Sequence, residues 1–149
     1  MKQGKLTEEE FEEMKQHTII GHNALDLASQ KLGENSFLRY AKEFSRHHQE
    51  KWDGTGYPDK LSGEAIPLAG RIMAIADVYD ALISKRVYKP PYTHEKAVAI
   101  IIESRGTHFD PDIVDAFLEI SEDIRKIAIE NADYLEEVLA LNITREIKA

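Results

Sequence analysis

His47 and His48 stand directly before Gln49-Glu50-Lys51-Trp52-Asp53-Gly54-Thr55-Gly56-Tyr57-Pro58, the stretch of this chain best suited to chemistry. Neighbouring imidazoles are poor surface decoration, whereas a divalent metal needs such groups held on a stiff element. The two glycines let backbone pass close to a bound group, and Pro58 fixes the exit of the loop. A turn alone would account for Gly56-Tyr57-Pro58 but not for the histidines in front of it. The run reads as the rim of an active site.

The elements that must position this rim are helical. Thr7 and Glu10 form a capping box at the start of a helix directed towards Lys15. A break is expected at His17-Thr18, followed by a second helix carrying Ile19, Ile20, Ala24, Leu25 and Ala28, then a turn at Gly33-Glu34-Asn35-Ser36. In the next helix Phe37, Ala41, Phe44 and His48 recur at i, i+4, i+7 and i+11, so His48 is expected on a core-facing stripe. His47 lies one step round, near Tyr40 and Phe44. Pro67 suits the first position of a helix running from Leu68 to about Ser84, apolar on most of its girth and expected to be central. Asp77 and Asp80 interrupt it, and a carboxylate in an apolar helix is costly without a partner. Thr93 caps a helix ending near Arg105-Gly106, Asp110-Pro111 starts another, and Ser121 opens a last segment, Ile124 to Leu141. No period-two run appears. The fold expected is all-α, with the last helix packing on the body or on a partner.

Composition bounds the chemistry. A length of 149 residues suits one domain with a real core. Asp and Glu outnumber Lys and Arg by 27 to 19, for a net charge of −8, which argues against duplex nucleic acid or an anionic membrane as partner. A small anionic ligand held by one or two local cations is compatible. There is no cysteine, so a metal would rest on His, Asp, Glu and water. No apolar signal core and no run of membrane-spanning length occur, and a soluble, cytoplasmic protein is expected.

The ordered motifs Gly4-Lys5-Leu6-Thr7-x-x-Glu10, Met14-Lys15-x-His17-x-x-x-Gly21, Glu50-Lys51-Trp52-Asp53-Gly54-x-Gly56-Tyr57-Pro58, Ile66-Pro67-Leu68, Ala76-Asp77-Val78-Tyr79-Asp80-Ala81-Leu82, Arg86-x-Tyr88-Lys89 and Gly106-Thr107-His108-Phe109-Asp110-Pro111 resemble the HD-GYP branch of the HD-domain metal phosphohydrolases, over roughly residues 4 to 119. The resemblance implies a helical metalloenzyme that hydrolyses cyclic di-GMP to linear pGpG or GMP in bacterial signalling. It implies iron or manganese as the ions, with zinc, magnesium or nickel as alternatives. Carried over by matching positions, the metal ligands are His17, His48 and Asp77, and the phosphate-contacting cations are Arg86 and Lys89. The loop around Gly56, Tyr57 and Pro58 would shape the substrate pocket.

Two departures from the family pattern modify these expectations. The family has His-His just before the position of Glu50; here His48-Gln49 occupies it and His47 comes one place early. His47 is retained as a candidate ligand beside His48, and Gln49 points to a two-metal centre at most. The name-giving His-Asp dipeptide, which the family places upstream of Gly-Lys-Leu-Thr with its Asp bridging two metals, does not occur in the sequence. The expectation is a partial HD-domain-like bundle, first helices missing, over residues 1–120, with a C-terminal helical extension over 121–149. Such a chain would expose apolar surface favouring a homodimer, and the full-length protein would carry an upstream sensor domain. If turnover is lost, the alternative is a non-catalytic signalling module; a third reading is hydrolysis of another phosphoester.

Overall fold

The computed structural model describes residues 7–86 and 89–143. Positions Gly4, Lys5, Leu6 and Tyr88 of the quoted motifs lie outside the described residues. Among the described residues seven α-helices are formed: α1 (Glu8–Leu32), α2 (Ser36–His47), α3 (Leu68–Ile83), α4 (His94–Glu103), α5 (Pro111–Glu119), α6 (Ser121–Glu130) and α7 (Leu135–Asn142). Among the described residues there is no strand, only the isolated bridges Arg86–Lys89 and Arg105–Phe109. The all-α expectation holds. The chain divides into two compact units, Met1–Met73 and Ala74–Ala149, with the division falling inside α3.

The first unit is built on a helical hairpin. Thr7 caps α1 in a reciprocal capping box with Glu10, as the sequence indicates. The expected break at His17-Thr18 does not occur, and α1 runs unbroken through it. Both polar side chains are satisfied along the helix, Thr18 Oγ1 donating to the Lys15 carbonyl at 2.9 Å and His17 Nδ1 to that of Met14 at 2.6 Å. Gly33, at φ 84°, ends α1, and Asn35 caps α2 by accepting from the Leu38 amide at 2.9 Å. The helices of the hairpin approach closely where Gly21 meets Ser45, since a Cβ on Gly21 would lie 2.4 Å from Ser45 Oγ. Lys42 pairs with Asp26 at 3.2 Å and Glu34 at 3.0 Å and so ties α2 to α1 and to the connecting turn.

The stripe expected to face the core on α2 is only partly turned inward. Ala41 is buried and His48 half-buried, as expected, but Phe37 is 76% and Phe44 37% exposed. The reason is register: within this unit the side of α2 that meets α1 carries Leu38, Ala41, Ser45 and His48, and the two phenylalanines stand one step round from it. The expectation of a helix apolar and buried round most of its girth is likewise corrected on α3, where Leu68, Ile72, Asp77 and Asp80 are exposed.

The core of the second unit gathers Ala74, Ile75, Tyr79 and Ile83 of α3, Ala97 and Ile101 of α4, Phe109 from the turn before α5, Val114 and Phe117 of α5, and Leu141 of α7. The segment expected as one helix from Ile124 to Leu141 is two, α6 and α7. Buried Glu137 explains the interruption: its carboxylate accepts from the amides of Asp133 at 3.1 Å and Tyr134 at 3.3 Å, starting α7 afresh, and from Lys85 at 2.6 Å after α3. Tyr79 and His94 form a second buried polar contact, hydroxyl oxygen to Nδ1 at 2.8 Å.

Candidate metal and phosphate site

The first unit brings together two of the sequence-predicted residues. His17 projects from α1 and His48 caps the C-terminus of α2, and their Nε2 atoms are 3.3 Å apart. Each ring is oriented from behind. His17 Nδ1 donates to the Met14 carbonyl at 2.6 Å, and His48 Nδ1 lies 2.9 Å from the Phe44 carbonyl and 3.1 Å from that of Ser45. A carbonyl can only accept, so Nδ1 carries the proton and the Nε2 lone pairs are turned towards each other. Two facing lone pairs are satisfied either by one extra proton or by a shared cation. At about 2.0–2.2 Å from an ion, two ligating nitrogens are roughly 3.0–3.4 Å apart in octahedral or tetrahedral geometry, so the pair fits as two ligands of one cation. His17 is exposed and His48 half-buried, which leaves the pair open to solvent. Among the described residues no group of three His, Cys, Asp or Glu side chains lies within reach of one ion, so the structure brings two donors together and not a third.

His47, the other candidate ligand, is engaged elsewhere. Its Nδ1 donates to the Glu43 carbonyl at 3.0 Å and its Nε2 lies 3.3 Å from Asp59 Oδ2. Asp59 also accepts from Arg46 Nε and Nη2, each at 2.7 Å. The Arg46 hydrogen bond holds the Asp59 carboxyl below its ordinary value, and Asp59 in turn pushes Arg46 up. His47 and Arg46 thus tie the end of α2 to the loop after Pro58. Gly70 of α3 packs on the same spot, since a Cβ there would lie 2.8 Å from His47 Cβ.

The glycine loop is folded around a residue that the sequence offers only as part of a motif. Glu50 is 1% exposed, and its carboxylate accepts from the amides of Asp59 at 2.7 Å and Leu61 at 3.1 Å. Gly56 lies where no side chain fits, an added Cβ falling 2.3 Å from the Lys51 nitrogen. Asp53 accepts from Thr55 N and Oγ1 at 2.9 and 2.6 Å, and the Tyr57 amide donates to the Gln49 carbonyl at 3.1 Å. Tyr57, followed by a cis bond to Pro58, meets Phe11 edge-on at 6.3 Å, with Lys15 Nζ 4.7 Å from the Phe11 ring and 5.6 Å from the Tyr57 ring. The loop is therefore docked on α1, the helix that also carries His17.

In the second unit, Asp77 lies on the exposed part of α3, so the cost of burying it does not arise. Arg86 and Lys89 exchange backbone hydrogen bonds at 3.1 Å in both directions. Arg86 is exposed, while Lys89 Nζ lies 3.8 Å from the centre of the Tyr92 ring. Sequence reasoning gave no role to Glu50, Asp59, Tyr92 or Lys96. An acidic residue heading a glycine loop was the available signal for Glu50.

A protein-family model described as HD domain matches residues 1–113. The chain is 61% identical over 128 residues to a cyclic di-GMP phosphodiesterase of Vibrio cholerae, covering 86% of this chain and 26% of that protein. It is 47% identical to the cyclic di-GMP phosphodiesterase response regulator RpfG of Xanthomonas campestris pv. campestris, over 79% of this chain and 30% of that one. It is 43% identical to a 3'3'-cGAMP-specific phosphodiesterase of Vibrio cholerae, over 79% of this chain and 22% of that one. The chain thus spans less than a third of the length of these relatives. A solved cyclic GMP-AMP specific phosphodiesterase from V. cholerae shares the fold, with a TM-score of 0.60 at 23% identity, over 90% of this chain and 30% of that one. The chain belongs to the HD-domain family, and its run from Glu50 to Pro58 places it in the HD-GYP branch.

Proposed function

We propose that this chain is the metal-dependent phosphodiesterase part of a bacterial signalling protein and that it hydrolyses cyclic di-GMP to pGpG or GMP. The observation that carries this reading is the His17–His48 pair, two imidazoles pinned at Nδ1 with their Nε2 atoms 3.3 Å apart. The 61% identity to a named cyclic di-GMP phosphodiesterase supports the choice of substrate over its cGAMP counterpart, to whose named enzyme the identity is 43%. Iron or manganese suits an imidazole and carboxylate ligand set without thiolates.

Divalent ions bound here would activate water near neutral pH and polarise the phosphoryl oxygens. His17 and His48 would hold an ion through Nε2, and the resemblance implies Asp77 as a carboxylate ligand. Arg86 and Lys89 neutralise the non-bridging phosphate oxygens as negative charge builds on them. The loop at Gly56, Tyr57 and Pro58 limits the pocket on the α1 side. A cytoplasmic location, an attached sensory input and a homodimer complete the reading. Among the described residues no helix is long and apolar enough to cross a membrane, and one relative is named a response regulator.

A second reading, a module that binds the dinucleotide without turning it over, is favoured by Gln49, which stands where the family carries a histidine. One experiment separates the two. The chain is loaded with Mn²⁺, incubated with cyclic di-GMP, cGAMP or a simple phosphodiester, and the products are resolved by chromatography. Metal-dependent pGpG or GMP formation, abolished by His48→Ala, is expected; binding of cyclic di-GMP without product would establish the module instead.

A further inference from the structure

Outside the roles assigned above, the second unit carries an unusual charge arrangement around Tyr92. Lys89 Nζ is 3.8 Å and Lys96 Nζ 4.0 Å from the centre of the Tyr92 ring, so the two ammoniums are within about 8 Å of each other, a distance at which like charges repel. Arg86 joins them. Its two backbone hydrogen bonds with Lys89 make a hydrogen-bonded antiparallel pair, whose side chains leave the same face. Among the described residues none of these three cations has a carboxylate within ion-pair distance, although the chain is acidic overall, at −8. Tyr92 is fixed for this task, its amide donating to the Leu82 carbonyl at 3.0 Å at the end of α3. Lys96 is in the first turn of α4, behind the Thr93 cap.

An aromatic ring that holds two ammoniums by cation–π contact keeps them ordered without neutralising them. The three cations together carry more positive charge than a single phosphodiester requires. Resting on the phosphodiesterase reading, we propose that Tyr92 and Lys96 extend the Arg86–Lys89 pair into a three-cation cradle that takes both phosphates of a cyclic dinucleotide. Arg86 and Lys89 contact the phosphate that is cleaved; Lys96, positioned by Tyr92, contacts the other. This makes Lys96 a residue that discriminates doubly charged cyclic dinucleotides from singly charged linear ones.

The test is calorimetric titration of the Mn²⁺-loaded chain with cyclic di-GMP and with linear GpG, which carries one phosphodiester. Lys96→Ala is expected to weaken cyclic di-GMP binding 5- to 10-fold, make it less salt-dependent, and leave GpG binding unchanged. Lys96→Arg is expected to restore it. Unchanged GpG binding also certifies that the variant is folded. Loss of both ligands to the same degree, or no change for cyclic di-GMP while Arg86→Ala weakens it, overturns the cradle and leaves the phosphodiesterase reading standing. Failure of the unsubstituted chain to bind either ligand overturns both.

Discussion

His17 and His48 come from different helices, yet their Nε2 atoms meet at 3.3 Å while each Nδ1 is tied to a carbonyl of its own helix. The two rings are thereby oriented before any ion arrives, which lowers the ordering cost of binding one. Removing either imidazole should therefore remove most of the affinity. His17→Ala and His48→Ala are each expected to lower Mn²⁺ affinity by roughly tenfold or more, measured as metal content after dialysis. Arg86→Ala should retain the metal. Full occupancy in both histidine variants would show that the ion is held elsewhere.

Gly56 tests the loop rather than the metal. A methyl group there would overlap the Lys51 nitrogen, the Glu50 Cα and the Gln49 carbonyl, all backbone atoms that no rotamer change can clear. Gly56→Ala should therefore destabilise the protein by about 1–3 kcal/mol, read from urea denaturation. His48 directly precedes the displaced strand of backbone, so metal affinity should fall in the same variant.

How much of this was legible in the sequence depends on whether a residue's role is local. The caps at Thr7, Thr93 and Asp110 follow from side chains that satisfy amides two or three residues on, and the structure has them. The motif order identified the family for the same reason. The break expected at His17-Thr18 is absent because both polar side chains bond back to carbonyls three residues earlier in the same helix. On α2, Ala41 and His48 of the expected stripe turn inward but Phe37 and Phe44 do not, since periodicity identifies a face without fixing which edge of it meets a neighbour. Glu50 and Glu137 were not anticipated, since their amide partners lie up to 11 and 52 residues away.

Glu50 offers the sharper test of loop architecture. Its buried carboxylate satisfies the amides of Asp59 and Leu61, and its loss would leave both without a partner in a site closed to water. Glu50→Ala should cost about 1–3 kcal/mol for each orphaned amide, whereas Glu50→Gln, which keeps one acceptor oxygen, should cost less. Equal stability of the two variants in chemical denaturation would mean that the carboxylate does not organise the loop.

Acid sensitivity should have a component from the second unit. Burial is the main influence on His94 and pushes its pKa below the ordinary 6.5; Arg125 acts in the same direction, while Glu122 and Glu95 oppose it. Nδ1 faces the Tyr79 hydroxyl, itself pushed up to about 12 by burial, so Tyr79 stays protonated and donates while the ring is neutral. The unfolded chain then binds a proton on this histidine at a higher pH than the folded one. Stability contributed by the neutral ring is complete above pH 6.5 and declines as pH falls from there towards the lowered folded value. Urea denaturation at pH 7 and pH 5 should show a loss that is smaller in His94→Gln, which keeps a polar group but does not titrate. The depressed carboxylates titrate below their ordinary values, 3.8 for aspartates such as Asp59 and 4.5 for Glu122, and lie outside this window. An identical pH dependence in His94→Gln would assign the acid sensitivity to other groups.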